Sequence, residues 1–322
     1  MPIYRVALLL RSSLGTPLAG DTLWGHIAWG VCYREGEAGV AAWLDAYDHG
    51  EPPLVISDPL PAGYFPRPRL PRPVTGVETP TRSEAHDFKT IGKRQWVSHN
   101  VWSRIASELS AARVFEGIST SSQPESGRHA GTLHAGINRL TGGTDQEGGG
   151  LLYAVERTWY AAPARFDVWA HSSGGVEEVR RWFDDGLSGG YGRDGASGLG
   201  HIEVEDVQPV DLPPCAGANA VMTLGPLTPA VGDPARGFMS LQTRAGRLGG
   251  VFAIGATPSG STVRQKRPVH ALERGSILLT DDPRPWYGRV LRGVHEDPAI
   301  RHCGLTIAIP CRLEAAQLAE AM

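Results

Sequence analysis

The chain opens with YRVALLL (Tyr4 to Leu10), a continuous apolar run of strand length. RSSLGTPLAG then turns the chain. After it Leu23, Ile27 and Val31 recur at the spacing of one helix face, flanked by Trp24 and Ala28. Asp21 or Thr22 can cap that helix, with the capping role favoured over ligand binding for Asp21, and Trp24 belongs to the core. Gly25 and Gly30 weaken it by about 1 kcal/mol each relative to alanine, which is tolerable where another backbone packs closely. The rhythm is lost between residues 45 and 150. SDPLPAGYFPRPRLPRPV is proline-rich, and each proline removes a donor and biases its predecessor away from helix. Val101 to Glu116 can form a short helix, and the Ser-, Gly- and Thr-rich stretch from Ser119 to Gly150 reads as loop or hairpin. Regular patterning resumes in LLYAVERTWY and RFDVWAH, two strand-like runs separated by AAPA. In VEEVRRWFDDGL, Val176, Val179 and Phe183 return at helical spacing. A glycine-rich stretch follows, and HIEVEDV then alternates apolar and charged residues as a half-buried strand does.

With residues 45–150 set aside, the order is strand, helix, strand, strand, helix, strand, the split βαβ pattern of a ferredoxin-like unit. From about residue 211 the segments AVMTLGPLTPA, GFMSLQTRAGRLGG, PVHALERGSILL and GLTIAIPCRL are short and strand-like, broken by Gly and Pro, before a brief terminal helix in LEAAQLAEAM. The expected fold is α+β with two ferredoxin-like (RRM-like) domains. The first covers 1–210, with an insertion at about 45–150 and a glycine-rich loop at 186–200; the second, 211–322, is mostly β and degenerate. Tyr64, Phe65, Leu70 and Trp96 lie in the irregular insertion. That segment is expected to pack on a neighbouring protein, and the remainder to stay folded without Ser57 to Val74.

At 322 residues the chain can hold two modest cores, and its formal charge of −3 announces no polyanion partner by itself. The local distribution changes that. Arg236 to Arg274 holds seven Lys/Arg against the single acid Glu273, and Pro66 to Arg104 holds eight against three acids. Such stretches matter more than the sum for nucleic-acid binding. Cys32, Cys215, Cys303 and Cys311 are too scattered for a disulfide framework. No leader or membrane span is read in the sequence, so a reducing cytoplasm is the expected compartment.

The glycine-rich stretch, SGGYGRDGASGLGHIEV, places Gly189, Gly190, Gly192, Gly195, Gly198 and Gly200 around Tyr191, Arg193 and Asp194. Gly190, Gly192 and Gly195 satisfy G-x-G-x-x-G, but the dinucleotide fingerprint runs from strand to helix and this stretch runs from helix to strand. The phosphate-loop pattern fails because Ala196 stands where its lysine belongs. What remains is a loop whose glycines can take positive φ and bring a ligand close to exposed N–H groups.

The pieces TPLAGDTLWGHIAWG, SDPLPAGYFPRPRLP, NRLTGGT, the glycine loop, GSILL and CGLTIAIP resemble, in this order, the subunit of Csm-type (type III-A) CRISPR interference complexes that holds the 5′ end of the guide RNA. That subunit belongs to the RAMP superfamily, whose members are built from ferredoxin-like domains and carry a glycine-rich loop. The resemblance implies a non-catalytic subunit that binds the crRNA 5′ tag, beside a large polymerase-like subunit and an adjacent backbone RAMP subunit. It also brings Asn138, Arg139 and Thr141 of NRLTGGT, and the turn before Asp21, close to RNA. The basic segment TRAGRLGG has little aromatic content here and departs from that pattern. From the residues themselves, the loop can supply N–H donors through Gly189, Gly190, Gly192, Gly198 and Gly200, Arg193 a guanidinium and Tyr191 a stacking face. Arg193 can equally pair with Asp194 or Asp185. Arg244, Arg247, Lys266 and Arg267 are the expected basic partners in the second domain.

Catalytic readings have less support. His26 lies on a helix and reads as structural. His129 and His134 match neither the i, i+4 spacing of a helical metal site nor a finger motif. Asp184–Asp185 and Asp281–Asp282 read as solvated turns. No catalytic, metal or cofactor site is expected. Two readings stay open beside the RNA-binding scaffold: a RAMP endoribonuclease that processes crRNA with a histidine near the loop, and a different RAMP subunit of a related type III complex.

Overall fold

Ile3–Leu10 forms strand β1, because a run that is apolar at every position but Arg5 is at home where strands cover both its edges. In the computed structural model, which describes residues 2–71, 89–137, 143 and 152–321, β1 is one of two inner strands of an antiparallel sheet. Helix α1 (Gly20–Asp48), broken at Gly36 where φ is +75°, follows it. Next come β2 (Leu54–Ile56), β3 (Leu60–Pro61), β4 (Tyr64–Pro66), β5 (Trp96–Ser98), α2 (His99–Ile105) and α3 (Ala111–Thr120). They are followed by β6 (Arg128–Ala135), β7 (Leu152–Trp159), β8 (Ala164–Ser172), α4 (Val176–Leu187) and β9 (Ile202–Val210). The sheet order is β2-β8-β1-β9, with β3 also pairing β8. Val6 sits opposite Val168 on one side and Val207 on the other. These residues join Leu23, Ile27 and Val31 of α1 and Val179 and Phe183 of α4 in one core. Each fully buried aliphatic or aromatic side chain there contributes about 1.5–3 kcal/mol.

Close approach of α1 and α4 explains Gly30. A Cβ at that position would come within 2.7 Å of the Gly186 nitrogen, so the helices pack backbone to backbone. Gly25 has no such neighbour.

Two boundaries differ from the sequence expectation. The sheet's second helix-connected strand is Leu54–Ile56, inside the stretch read as an insertion, whereas LLYAVERTWY forms β7 and pairs with β6 in a separate two-stranded hairpin. Three residues flanked by prolines carry too little periodicity to be counted. The longer run at 152–159 has the pattern of a sheet strand, yet it is solvated along most of its length. The departure from the sheet therefore runs from about residue 62 to 163. Helix α1 also extends past residue 45, to Asp48.

The second half is β-rich. It contains β10 (Ala220–Thr223), β11 (Gly237–Phe238), β12 (Leu241–Arg244), β13 (Val269–Leu272), β14 (Ile277–Leu279), β15 (Trp286–Tyr287), β16 (Val290–Leu291), β17 (His302–Cys303) and β18 (Thr306–Cys311), and ends in α5 (Ala315–Ala321). Its main sheet has the order β11-β14-β10-β18-β15. Met222, Ile307 and Ile309 share the core of the first half. No helix among the described residues is long and apolar enough to cross a membrane.

Beside this shared apolar core, the seam between the halves carries paired polar groups. Asp58 accepts the Gly20 N–H at 2.7 Å and the Arg274 guanidinium at 3.0 Å, while its own N–H donates to Leu224 O. Arg274 also lies over the Trp96 ring, 4.9 Å from its centroid. Arg69 pairs with Glu273 at 2.8 Å, and its N–H donates to Gly275 O. Phe65 is buried against Trp102 and Trp169. Ser57 to Leu60, Phe65, Pro66 and Pro68 are buried within this chain, so deleting Ser57 to Val74 would remove part of its own core, against the expectation that the remainder stays folded without it.

Burial pushes the Asp58 carboxyl above its ordinary range, partly countered by the Arg274 charge and the Gly20 N–H. Replacing Arg274 by Met leaves that carboxylate buried without its ion-pair partner and is expected to cost about 3–5 kcal/mol at neutral pH. The loss should shrink as pH falls and the carboxyl takes up a proton, because a raised folded pKa makes the acid form the more stable one inside. Urea unfolding at pH 5 and pH 8 measures both; equal losses at the two pH values would remove Asp58 from the account.

Candidate nucleic-acid interface

Residues 188–200 close over the turn at residues 12–20 and form one backbone-rich unit with it. Gly190, Gly192, Gly198 and Gly200 all have positive φ, between +64° and +88°, and Asp194 is left-handed at φ +62°. Gly15 packs under the loop, where a Cβ would come within 2.6 Å of Arg193 O. Tyr191 N–H donates to Gly200 O, and Gly200 N–H donates to Ser13 O, both at 2.8 Å. Arg193 N–H donates to Thr16 Oγ1 and Gly192 N–H to His26 Nε2, both at 2.9 Å. Gly190 N–H and Gly198 N–H are likewise taken by Leu187 O and Gly195 O. The expected cradle of free N–H donors at Gly190, Gly192, Gly198 and Gly200 is therefore corrected. The glycines serve a tight internal fold, and these donors are already engaged.

Tyr191 is the peg of this unit. It is 0 % exposed, its hydroxyl donates to Pro17 O at 2.9 Å, and it accepts the Ala19 N–H at 2.9 Å. A ring covered on all sides offers no face to a base, so the stacking expected of it is replaced by a positioning role. His26 packs beside it, with ring centroids 5.2 Å apart. Because His26 Nε2 accepts from Gly192, the neutral ring carries its proton on Nδ1; burial pushes its pKa down to about 4.

The basic residues divide into two sets. Arg244 forms a bidentate pair with Asp21, at 2.8 and 2.6 Å. Burial works against the Asp21 carboxylate, but Arg244 outweighs it and holds its pKa below the ordinary value. Asp21 is thus a salt-bridge partner rather than the cap. The N-cap is Ala19, which makes no side-chain capping bond. Lys266 is half-buried, donates from Nζ to Arg301 O at 2.6 Å, and has its pKa lowered by burial. Arg244 and Lys266 are structural in this conformation, against the expectation that they reach RNA. Arg247 is exposed, and Arg267 is exposed while donating to Gly293 O. Arg193 is about half exposed, with Nη2 donating to Glu156 O at 2.8 Å and the guanidinium 3.3 Å from Asp194. Gly189 faces open space. Asn138, Arg139 and Thr141 lie outside the described residues.

The sequence did not single out the β6–β7 hairpin. It is anchored beside the glycine loop through a Leu14–Thr158 bridge and the Arg193–Glu156 bond. On one face, register places Arg128 opposite Trp159, Ala130 opposite Arg157 and His134 opposite Tyr153. Alternation along 128–134 and 153–159 could have revealed this basic and aromatic face, had the two runs been paired. Among the described residues, no group of three or more His, Cys, Asp or Glu side chains is placed to hold a metal.

No protein-family model and no curated protein sequence matches the chain. Solved structures do. A chain of the Csm1–Csm4 cassette in complex with cA4 superposes with a TM-score of 0.55 at 15% identity, over 96% of this chain and 98% of that one. The cassette in complex with AMPPNP gives 0.54 at 16% identity, with the same coverage. The Csm3–Csm4 subcomplex of the type III-A CRISPR-Cas interference complex gives 0.50 at 14% identity, over 95% and 99%. The chain shares its fold with a chain of these Csm1–Csm4 and Csm3–Csm4 structures.

His26 supplies a pH test of the loop. Its folded pKa of about 4 lies below the ordinary value of 6.5, so the stability it lends is present above pH 6.5 and is lost as pH falls toward 4. His26→Gln keeps a side-chain acceptor near the Gly192 N–H but cannot take up the proton. The variant should show a stability–pH slope smaller by up to about 1.4 kcal/mol per pH unit in that window. A slope identical to the parent's would mean that His26 titrates normally and that the loop is not docked on it.

Proposed function

We propose that this chain is the non-catalytic RAMP subunit of a type III CRISPR effector ribonucleoprotein, binding the crRNA 5′ tag on ferredoxin-like scaffolding and linking it to a large polymerase-like subunit and an adjacent backbone RAMP subunit. The observation that carries the reading is the end-to-end correspondence with structures of two assemblies whose common component is Csm4. The β-α-β-β-α-β order and β2-β8-β1-β9 sheet of the first half support the ferredoxin-like description. The second half has no helix between its strands other than a short 3-10 turn, which suits a degenerate copy.

The loop, its half-exposed Arg193 and the adjoining Arg128–Trp159–Arg157 hairpin face together offer the chemistry single-stranded RNA requires: guanidinium groups for phosphates and rings for bases. His26 cannot serve readily as an acid–base group, since its Nε2 is occupied and its pKa is pushed down to about 4. A second reading rests on His201, exposed directly after the loop and 3.7 Å from Glu203, which would suit an endoribonuclease.

Labelled single-stranded RNA carrying a repeat-derived 5′ tag separates the two. The full chain should bind it and leave it intact over a long incubation. Arg193→Ala should weaken binding for every sequence and lower the slope of log K against log salt by about one. Site-specific cutting that His201→Ala abolishes would put the endoribonuclease in first place.

A further inference from the structure

Helix α1 continues the interface away from the glycine loop. His26 touches the loop, and Trp29 and Tyr33 follow at positions three and seven residues on, along the same helix face. Trp29 is packed on several sides. Tyr33 lies 5.6 Å from it at 31°, Phe252 meets it edge-on at 4.9 Å and 69°, and the backbone at Gly249 and Gly250 lies against the indole. A Cβ on Gly250 would come within 2.5 Å of the ring, and φ there is +55°. Beyond this cluster, Tyr33 is 65 % exposed, Val251 55 % and Ile254 82 %. Basic residues border it from the second half: Arg247 lies two residues before Gly249, and its bridge to Gln265 brings Arg264 and Arg267, both exposed, onto the neighbouring strand segment.

We infer that Tyr33, backed by Trp29, is a stacking platform for an unpaired base of single-stranded RNA leaving the glycine loop, with the phosphate taken by Arg247 of the segment that covers Trp29. The inference rests on the RNA-binding reading above and extends that site along α1. An exposed tyrosine ring packed on a second aromatic ring, with exposed arginines on the segment that covers that second ring, has the chemistry of base stacking.

The test uses the full chain with fluorescein-labelled oligoadenylate and oligouridylate, which share a backbone but differ in stacking strength. Tyr33→Ala should bind oligoadenylate about tenfold more weakly, narrow the preference for adenine over uracil and leave the salt slope unchanged. Tyr33→Phe should bind like the parent. Thermal melting should show both variants folded, since the side chain is mostly exposed. No binding by the parent overturns the RNA-binding reading and the platform with it. Parent binding that Tyr33→Ala leaves unchanged overturns the platform alone, as does a Phe variant as weak as the Ala variant. Loss of co-purification with a protein subunit on Tyr33→Ala, with RNA binding intact, makes the patch a protein-docking face and also overturns it.

Discussion

The architecture depends on how the chain enters α1. Within a few residues, Ser13 O receives Gly200 N–H, Thr16 Oγ1 receives Arg193 N–H, Pro17 O receives the Tyr191 hydroxyl, and Gly20 N–H is given to Asp58. Sheet, glycine loop, second strand and second half all meet there. The carboxylate of Asp58 is the costly part, because a charge out of water must be matched by partners of good geometry. Arg274 and the first free N–H of a long helix supply that match, and the helix N-terminus favours negative charge as well. Asp21, one residue on, repeats the device with Arg244.

This junction sets what the glycine loop can do. A loop with six glycines in twelve positions, Gly189 to Gly200, could be slack, yet here it is short of conformational freedom. Positive φ at four of those glycines lets the backbone fold back on itself, and Tyr191 drives a ring and a hydroxyl into the turn below. Ordering the loop before a ligand arrives lowers the entropy cost of binding. It also leaves Arg193 as the loop's outward guanidinium, aimed toward the hairpin rather than buried among the glycines.

Charge is partitioned by the same seam. Arg244, Arg274 and Lys266 of the basic stretch face inward, toward Asp21, Asp58 and a backbone carbonyl, while Arg247, Arg264 and Arg267 face out. Three of the seven basic residues between Arg236 and Arg274 are thus withdrawn from the set a polyanion could meet. Arg244 and Arg274 join the halves, Lys266 ties two segments of the second half, and the outward set, with the aromatic row on α1 and the hairpin face, defines the surface.

Strand β1, the first helix face, α4 and the strand after the glycine loop were legible in the sequence, because each carries a long periodic pattern set by local geometry. The resemblance carried by TPLAGDTLWGHIAWG, the glycine loop and CGLTIAIP agrees with the fold. Other features were not local. Leu54–Ile56 is a strand because β8 lies beside it, and three residues between prolines hold no period to read. LLYAVERTWY pairs with β6 instead of the main sheet, since its neighbours in space, not its alternation, determine its partner. Tyr191 and Arg244 are chemically apt for RNA, and only tertiary packing decided that one is a peg and the other half of a buried pair. Trp29 and Tyr33 read as ordinary helix residues until the fold brought Gly249 to Phe252 against them. A sequence specifies which side chains exist; burial and pairing, which depend on residues hundreds of positions away, determine which of them remain free to meet a ligand.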